Sequence, residues 1–290
     1  MERLFADLHL HTAYSDGTFS PVELVRYAQK AGLSAISITD HDITDGITEG
    51  LKEGAKRGVE VIPGIELSAE LKTSGEHEMH ILGYYLNWES VKFQEELKLF
   101  RQARERRAFH ILDKLAQIGI KLNEERLFKI AGIGSIGRLH FAKAMLEEKI
   151  VSHTQEAFEK YLGEGRPAYV PKLRLQPEDA IRMIHRVGGL PVLAHPFYGG
   201  INKATVKSLV NKGLMGIEVW HIKHPPEAAA NFKKWAEDLG IFMTGGTDCH
   251  GKLMEETVPL LGRLKIDYKY VVDMKLAKAR LDKNRARIME

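Results

Sequence analysis

The stretch DLHLHTAYSDG, Asp7 to Gly17, holds two histidines one residue apart and an aspartate five positions after the second. It completes a run in which Leu4, Ala6, Leu8 and Leu10 alternate with Phe5, Asp7, His9 and His11. That is the period of a β-strand, so both imidazoles are expected on one face. Ser20-Pro21-Val22-Glu23 follows as a capping box with proline at the first helical position, then apolar Val22, Val25 and Ala28, and a stop at Gly32. Strand then helix recurs along the chain: SAISITDHD and a helix through about Lys56, VEVIPGIE, MHILGYYL, then GGLPVLAHP after a helix beginning near Pro177, GIEVWH, and IFMTGGTDCH. Such alternation implies a parallel sheet or barrel, because parallel strands need crossover helices.

Residues 90 to 165 break the rhythm. VKFQEELKLFRQARERRAFHILDKLAQIG reads as a long amphipathic helix with Phe93, Leu97, Phe100, Ala108, Ile111, Leu112 and Leu115 at helical spacings. Shorter helices are expected around 123 to 131, 137 to 149 and 154 to 162 before GEGRPAYVP returns the chain to the barrel pattern. The expected organisation is a first barrel segment at 1–95, a helical insertion at 96–165 and a second barrel segment at 166–290. Arg101, Arg104, Arg106 and Arg107 form a charge run on the long helix that could guide RNA phosphates, although such a run is more often a solvated face, which is the expectation here.

Composition narrows the chemistry. The 290 residues are 44% apolar and 28% charged, and no apolar run approaches the roughly 20 residues that span a bilayer. The start, MERLFADLH, does not read as a secretion signal, so a cytoplasmic protein without a membrane partner is expected. A net charge of +3 does not by itself argue for nucleic acid. One cysteine, Cys249, excludes an internal disulfide and a cysteine zinc knuckle, so any metal rests on histidine and carboxylate.

Those residue types gather near the ends of the expected strands: His9, His11, Asp16, His41, Glu66, His80, His195, Asp248 and His250. In a parallel barrel the strand ends open onto one mouth, where residues far apart in sequence meet. Neutral imidazole suits zinc, iron and manganese, and carboxylates can bridge adjacent ions. Nine ligands exceed one tetrahedral ion and suit two or three divalent ions, which activate water and clamp phosphate oxygens.

DLHLHTAYSDG, ITDHD, GIE, HILGY, LAHP and TDCH resemble the successive motifs of the PHP family, the polymerase and histidinol phosphatase metallohydrolases. The insert, through SIGRLHFAKAM at 135–145 and FEKYLGEGRPAYVP at 158–171, resembles the branch containing nucleoside 3′,5′-bisphosphate phosphatases and 5′-3′ exoribonucleases. The resemblance implies a distorted (β/α)7 barrel with a trinuclear site. One ion would take His9, His11, Glu66 and Asp248, a second Glu66, His80 and His195, a third Asp16, His41 and His250. Glu66, Asp248 and His195 would be the catalytic members, hydroxide held between ions would attack phosphorus, and Asp40 would orient an imidazole, as would Asp7, for which ordinary strand-end capping is also open. The leaving-group proton is left open among a coordinated water, His221 and His224.

In the insert, Ser135, Arg138 and His140 lie where glycines precede a helix, a turn suited to anions, and the resemblance gives Arg138 a substrate 3′-phosphate. Leu139 stands where that branch often carries proline. Trp220 ends a strand, where stacking a base and core packing are both open. The implied substrate is a phosphorylated nucleotide, with short 5′-phosphorylated RNA as a further one. Histidinol phosphate is the enzymatic alternative, and a noncatalytic metal-stabilised regulatory or polymerase-accessory module the alternative of another class.

Overall fold

In the computed structural model, residues 4–73, 75–132, 136–173, 175–197, 200–251 and 259–289 are described. The elements run β1 (Phe5–Leu10), α1 (Pro21–Lys30), β2 (Ala35–Ile38), α2 (Ile47–Arg57), β3 (Glu60–Thr73), β4 (Gly75–Tyr84), α3 (Val91–Gln117), α4 (Glu124–Ala131), α5 (Arg138–Glu147) and α6 (Thr154–Ala157), which continues as a π turn, Phe158–Leu162. Then come α7 (Pro177–Arg186), β5 (Leu190–Leu193), α8 (Lys203–Asn211), β6 (Gly216–His221), α9 (Pro226–Leu239), β7 (Phe242–Gly246), β8 (Ile266–Asp267) and α10 (Lys269–Met289). The capping box closes both ways at α1, where Glu23 N–H donates to Ser20 Oγ and Ser20 N–H donates to the Glu23 carboxylate.

The sheet order is β7-β6-β5-β4-β3-β2-β1-β8. At its lower end β1 pairs antiparallel with β8, and at its upper end it meets the residues just after β7: Leu10 bridges Cys249, and Asp248 N–H donates to His9 O at 2.9 Å. A Cβ on Gly246 would lie 2.4 Å from His9 Cβ, so glycine is what lets β7 approach β1 and close a seven-stranded barrel. Within it β4 runs antiparallel to both β3 and β5, whereas the other barrel pairs are parallel. The architecture is therefore the distorted barrel, with one strand reversed.

Ala6 and Leu8 share an interior cluster with Ala35, Ile62, Leu82, Tyr84 and Val192, and α10 closes its lower end with Val271 and Met274. Leu10 packs outside, against Leu24, Val25 and Ala28 of α1. Strict alternation along β1 thus fails once, where its register with β2 shifts between Asp7 and Leu10. His9 and His11 remain together on the inner face. The outer layer joins Ile65, Leu67, Ile81, Leu193, Ile217 and Val219 to α7, α8 and α9.

α3 belongs to two cores. Phe93 and Leu97 are buried against the barrel, and each such side chain contributes roughly 1.5–3 kcal/mol. Ala108, Ile111, Leu112 and Leu115 belong instead to a separate cluster reaching Ala168, which includes Leu127, Phe141, Met145 and Leu162. This cluster is the core of the inserted helices. No helix among the described residues is long and apolar enough to cross a membrane.

Candidate metal centre

All nine sequence-selected side chains converge at the barrel mouth. Glu66, 1% exposed, is their centre. Its Oε2 lies 3.3 Å from His9 Nε2, 3.3 Å from His11 Nε2 and 3.0 Å from His41 Nδ1, and its Oε1 lies 2.8 Å from His80 Nδ1 and 3.0 Å from His195 Nε2. Asp248 Oδ1 approaches His9 Nε2 at 3.6 Å and His11 Nε2 at 3.1 Å. Asp16 faces His250 Nε2 at 3.2 Å and His41 Nε2 at 3.9 Å. His250 Nδ1 is 2.8 Å from the Asp248 carbonyl, which turns its Nε2 toward Asp16. Asp42, His195 and Asp248 have φ of 55°, 22° and 53°, values that L-residues seldom adopt and that cluster at functional sites.

The donor set fits metal ions. His9 Nε2, both ring nitrogens of His11, His41 Nδ1, Asp16 Oδ1 and Glu66 Oε2 are buried without a hydrogen bond, although carboxylates and imidazoles crowd around them. Buried polar atoms carry that cost rarely, and a cation facing them would remove it. Donors within 4.8 Å of one another form three overlapping groups: His9, His11 and Glu66; His41, Glu66 and His80; and His11, Asp16, His41 and His250. These groups differ from the expected partition: His41 joins Glu66 and His80, His11 joins the Asp16 group, and Asp248 and His195 fall in none of the three, although Asp248 Oδ1 lies 3.1 Å from His11 Nε2 and His195 Nε2 3.0 Å from Glu66 Oε1.

Charge within the cluster is tightly coupled. Burial alone would raise the Glu66 carboxyl, but His80, His41 and His9 hold it well below the usual range. Burial lowers His9, yet Glu218, Glu66 and Asp248 carry it well above its ordinary value. His41 is pulled down to about 4 by burial despite Glu66 and Asp16.

The structure corrects several details of the sequence reading. His80 does not sit at the carboxyl end of a strand; it reaches the mouth because β4 runs backwards, in register opposite Ser68. Asp40 and Asp7 accept from the chain rather than from imidazole nitrogens. Asp40 takes Thr12 N–H at 2.7 Å, Thr12 Oγ1 at 2.6 Å and Ser15 Oγ at 2.6 Å, which fixes the loop presenting Asp16. Asp7 takes Thr247 N–H at 2.9 Å and Thr247 Oγ1 at 2.6 Å. His140 is buried and its Nδ1 accepts Gly137 N–H at 3.0 Å, so this ring caps α5. Trp220 packs against the outer layer with its ring 4.4 Å from Tyr270. His221 is the histidine at the site, with Nε2 3.5 Å from Asp248 Oδ2, while His224 turns Nδ1 to the Val219 carbonyl. Ser135 lies outside the described residues.

Four residues of consequence differ from that reading: Arg104 and Arg107, expected on a solvated face, and Lys172 and Glu218, which it does not single out. Arg104 and Arg107, 9% and 8% exposed, are not solvated. Arg104 pairs with Asp42, Arg107 donates to the Val170 carbonyl at 2.7 Å, and Lys172 bonds Ser68 Oγ. Burial would raise Asp42, but Arg104 and Lys172 hold it well below the carboxylate range. With Arg138, whose guanidinium lies 5.8 Å from the Phe158 and Tyr169 ring centres, these cations line a cavity of about 160 Å³ that His41, His80 and Asp16 also line. The signal was present: Phe93, Leu97, Phe100, Arg104, Arg107 and Ile111 follow one helical stripe, so the two arginines occupy apolar-face positions. The fourth is Glu218, fully buried, in the second GIE of the chain.

A family model of the PHP domain matches residues 7–165, more than half of the chain. The chain belongs to the PHP-domain family. Beyond the matched span, this PHP chain adds His195, Asp248 and His250 from its second barrel segment. It is 31% identical over 248 residues to a 5′-3′ exoribonuclease of Haemophilus influenzae, covering 84% of the chain and 89% of that protein. To a 3′,5′-nucleoside bisphosphate phosphatase of Chromobacterium violaceum it is 30% identical over 249 residues, covering 84% and 86%. A solved structure from Bifidobacterium adolescentis, provisionally assigned as a metal-dependent phosphoesterase, superposes with a TM-score of 0.85 at 26% identity, covering 94% and 96%. The PHP protein is a metal-dependent hydrolase of phosphoester bonds.

Proposed function

We propose that the ester cleaved is the 3′-phosphate of a nucleoside 3′,5′-bisphosphate, and that short 5′-phosphorylated RNA is accepted by the same cleft. The observation that carries this reading is the cation set of Arg104, Arg107, Arg138 and Lys172 in one cavity with His41, His80 and Asp16. Arg104 and Lys172 already share Asp42, and Arg107 and Arg138 add further positive charge to the same cavity, which favours a substrate carrying more than one phosphate. The cavity suits a second, uncleaved phosphate beside the reacting one, and Arg138 is assigned to that second phosphate rather than to the 3′-phosphate. The α5 amino terminus, with Gly137 and Arg138 in the lining, adds its own preference for anions. Histidinol phosphate has one phosphate and an ammonium group, which these cations would repel. The names of the Chromobacterium violaceum and Haemophilus influenzae relatives point the same way.

His9, His11, Asp16, His41, Glu66, His80 and His250, which form the grouped donors, and His195 and Asp248, which contact Glu66, His9 and His11, are assigned to hold two or three divalent ions, with manganese, zinc and iron all suited to this nitrogen and oxygen set. When bound, such ions supply water activation near neutral pH and neutralise phosphate charge. Around them the chain does three things. Glu66 ties five imidazoles to one point, Asp248 approaches His9 and His11, and the insert's cations orient the ester. His221, beside Asp248, is assigned to hand a proton to the leaving oxygen.

The test is phosphate release from adenosine 3′,5′-bisphosphate, histidinol phosphate and a 5′-phosphorylated oligoribonucleotide, using protein whose metal content has been measured. The bisphosphate should be preferred. Arg138→Ala should lower kcat/KM on it by about tenfold to a hundredfold, the 1.5–3 kcal/mol of a hydrogen bond to a charged group, while a simple phosphate monoester is little affected. Equal losses on both, or faster turnover of histidinol phosphate, would overturn the reading.

A further inference from the structure

Glu218 lies on β6 beneath the mouth, fully buried, and its two oxygens serve two different strands. Oε1 is 3.1 Å from His9 Nδ1, on β1. Oε2 accepts the backbone N–H of His195, just past β5, at 2.7 Å. The chain writes the same tripeptide twice, Gly64-Ile65-Glu66 on β3 and Gly216-Ile217-Glu218 on β6, and both glutamates reach the barrel axis. Glu66 meets the metal-facing nitrogens of the histidines, whereas Glu218 meets the opposite side of one ring and the backbone of another.

We propose that Glu218 is a positioning residue that sets two ligands at once, His9 through its ring and His195 through its main chain. An imidazole can offer Nε2 to an ion only when the proton sits on Nδ1, and a carboxylate facing Nδ1 selects that tautomer and increases ligand basicity. His195 has φ of 22°, a backbone state that a side-chain-bearing residue does not hold unaided. The bond from its N–H to Glu218 stabilises that state and so fixes where the imidazole leaves the chain. Its Nε2 then arrives 3.0 Å from Glu66 Oε1 and 3.2 Å from His80 Nδ1. Asp7 and Asp40, the neighbouring buried carboxylates, hold loop donors and touch no imidazole nitrogen. Glu218 therefore couples opposite walls of the barrel through one side chain. This inference rests on His9 and His195 being ligands, as assigned under the proposed function.

Glu218→Gln has one acceptor oxygen where two donors need one each, so either His9 is pushed to the wrong tautomer or His195 loses its anchor. Titration of metal-free protein with manganese(II) should show affinity about 10–100-fold weaker in the variant. The kcat should fall in step, while KM for the bisphosphate stays within about twofold because the cation cleft is untouched. The melting temperature of the metal-free protein should change little. Unchanged manganese affinity would overturn the proposal, and a lowered metal-free melting temperature with unchanged affinity would leave Glu218 as a residue of the fold only. Wild-type protein that binds no manganese would instead overturn the ligand assignment itself. Should the variant fail to fold, nitrogen-15 spectra of wild-type protein loaded with zinc decide the matter: His9 protonated at Nδ1 supports the proposal, and His9 protonated at Nε2 defeats it.

Discussion

The barrel mouth and the helical insert face each other across one cleft, yet they are built by opposite means. At the mouth, donors are fixed by sheet hydrogen bonds: β1 is held between β2 and β7, and β3 and β4 present Glu66 and His80 from paired strands. The insert contributes cations from helices packed on a core of their own. The mouth gathers carboxylates and imidazoles that need positive charge, and the opposing wall gathers arginines and a lysine that need negative charge. On the proposed function, bond breaking and substrate choice would reside on different elements, which meet where Arg104 pairs with Asp42.

If that division is right, damage to the mouth should be blind to substrate. Glu66→Ala removes the one group shared by five imidazoles, and turnover of every phosphate ester should fall by roughly a thousandfold or more, in keeping with the several kcal/mol that metal assistance supplies. Steady-state rates on two unrelated esters check this, and loss on one alone would break the division. The seam between the regions comes next. Arg104→Met keeps an apolar stem but takes from Asp42 its paired guanidinium, leaving the Ser68 hydrogen bonds and the charge of Lys172, and urea unfolding should register a loss of about 3 kcal/mol, the lower end for breaking a buried pair. A loss of only a few tenths of a kcal/mol, as for an exposed pair, would mean that the two walls are not fastened there.

The smallest effect concerns the insert alone. Burial pulls His140 from 6.5 down to about 4 against the charge of Asp16, with Lys143 and Arg104 adding to the shift. Below pH 6.5 the unfolded chain takes up a proton that the folded chain refuses until about pH 4, so stability is lost as pH falls through that window. The loss should reach roughly 2 kcal/mol at pH 5, and His140→Asn should lose less on acidification because it does not titrate. Unfolding of both proteins at pH 7 and pH 5 measures the difference, and parallel slopes would show that His140 is not the titrating group.

The same contrast governs what could be read from the amino acids. HxH, TDH, AHP and TDCH were legible because strand ends in a barrel share one mouth, and convergence follows from topology once the strands are recognised. The reversal of β4 was not legible, since direction is set by the β3–β4 hairpin and leaves no mark in the alternation of MHILGYYL. Periodicity assigned α3 correctly, and yet the arginines at 104 and 107 were read by their charge instead of by their place in the stripe that runs from Phe93 to Ile111. Charge predicts exposure only where no buried carboxylate such as Asp42 waits across the interface. Glu218 was hidden for a related reason, because a lone acid within GIEVWH resembles any strand residue until its repeat of Gly64-Ile65-Glu66 is noticed.

Because α3 is one unbroken helix spanning both cores, it acts as a ruler. Its first turns are clamped by Phe93 and Leu97 and its last by Ile111 and Leu115, with the two buried arginines between the clamps. Each residue along it meters about 1.5 Å and 100°. Adding or deleting a single residue between the clamps would swing the guanidinium groups to another quarter of the cylinder, so chain length here sets the gauge of what the cleft will accept.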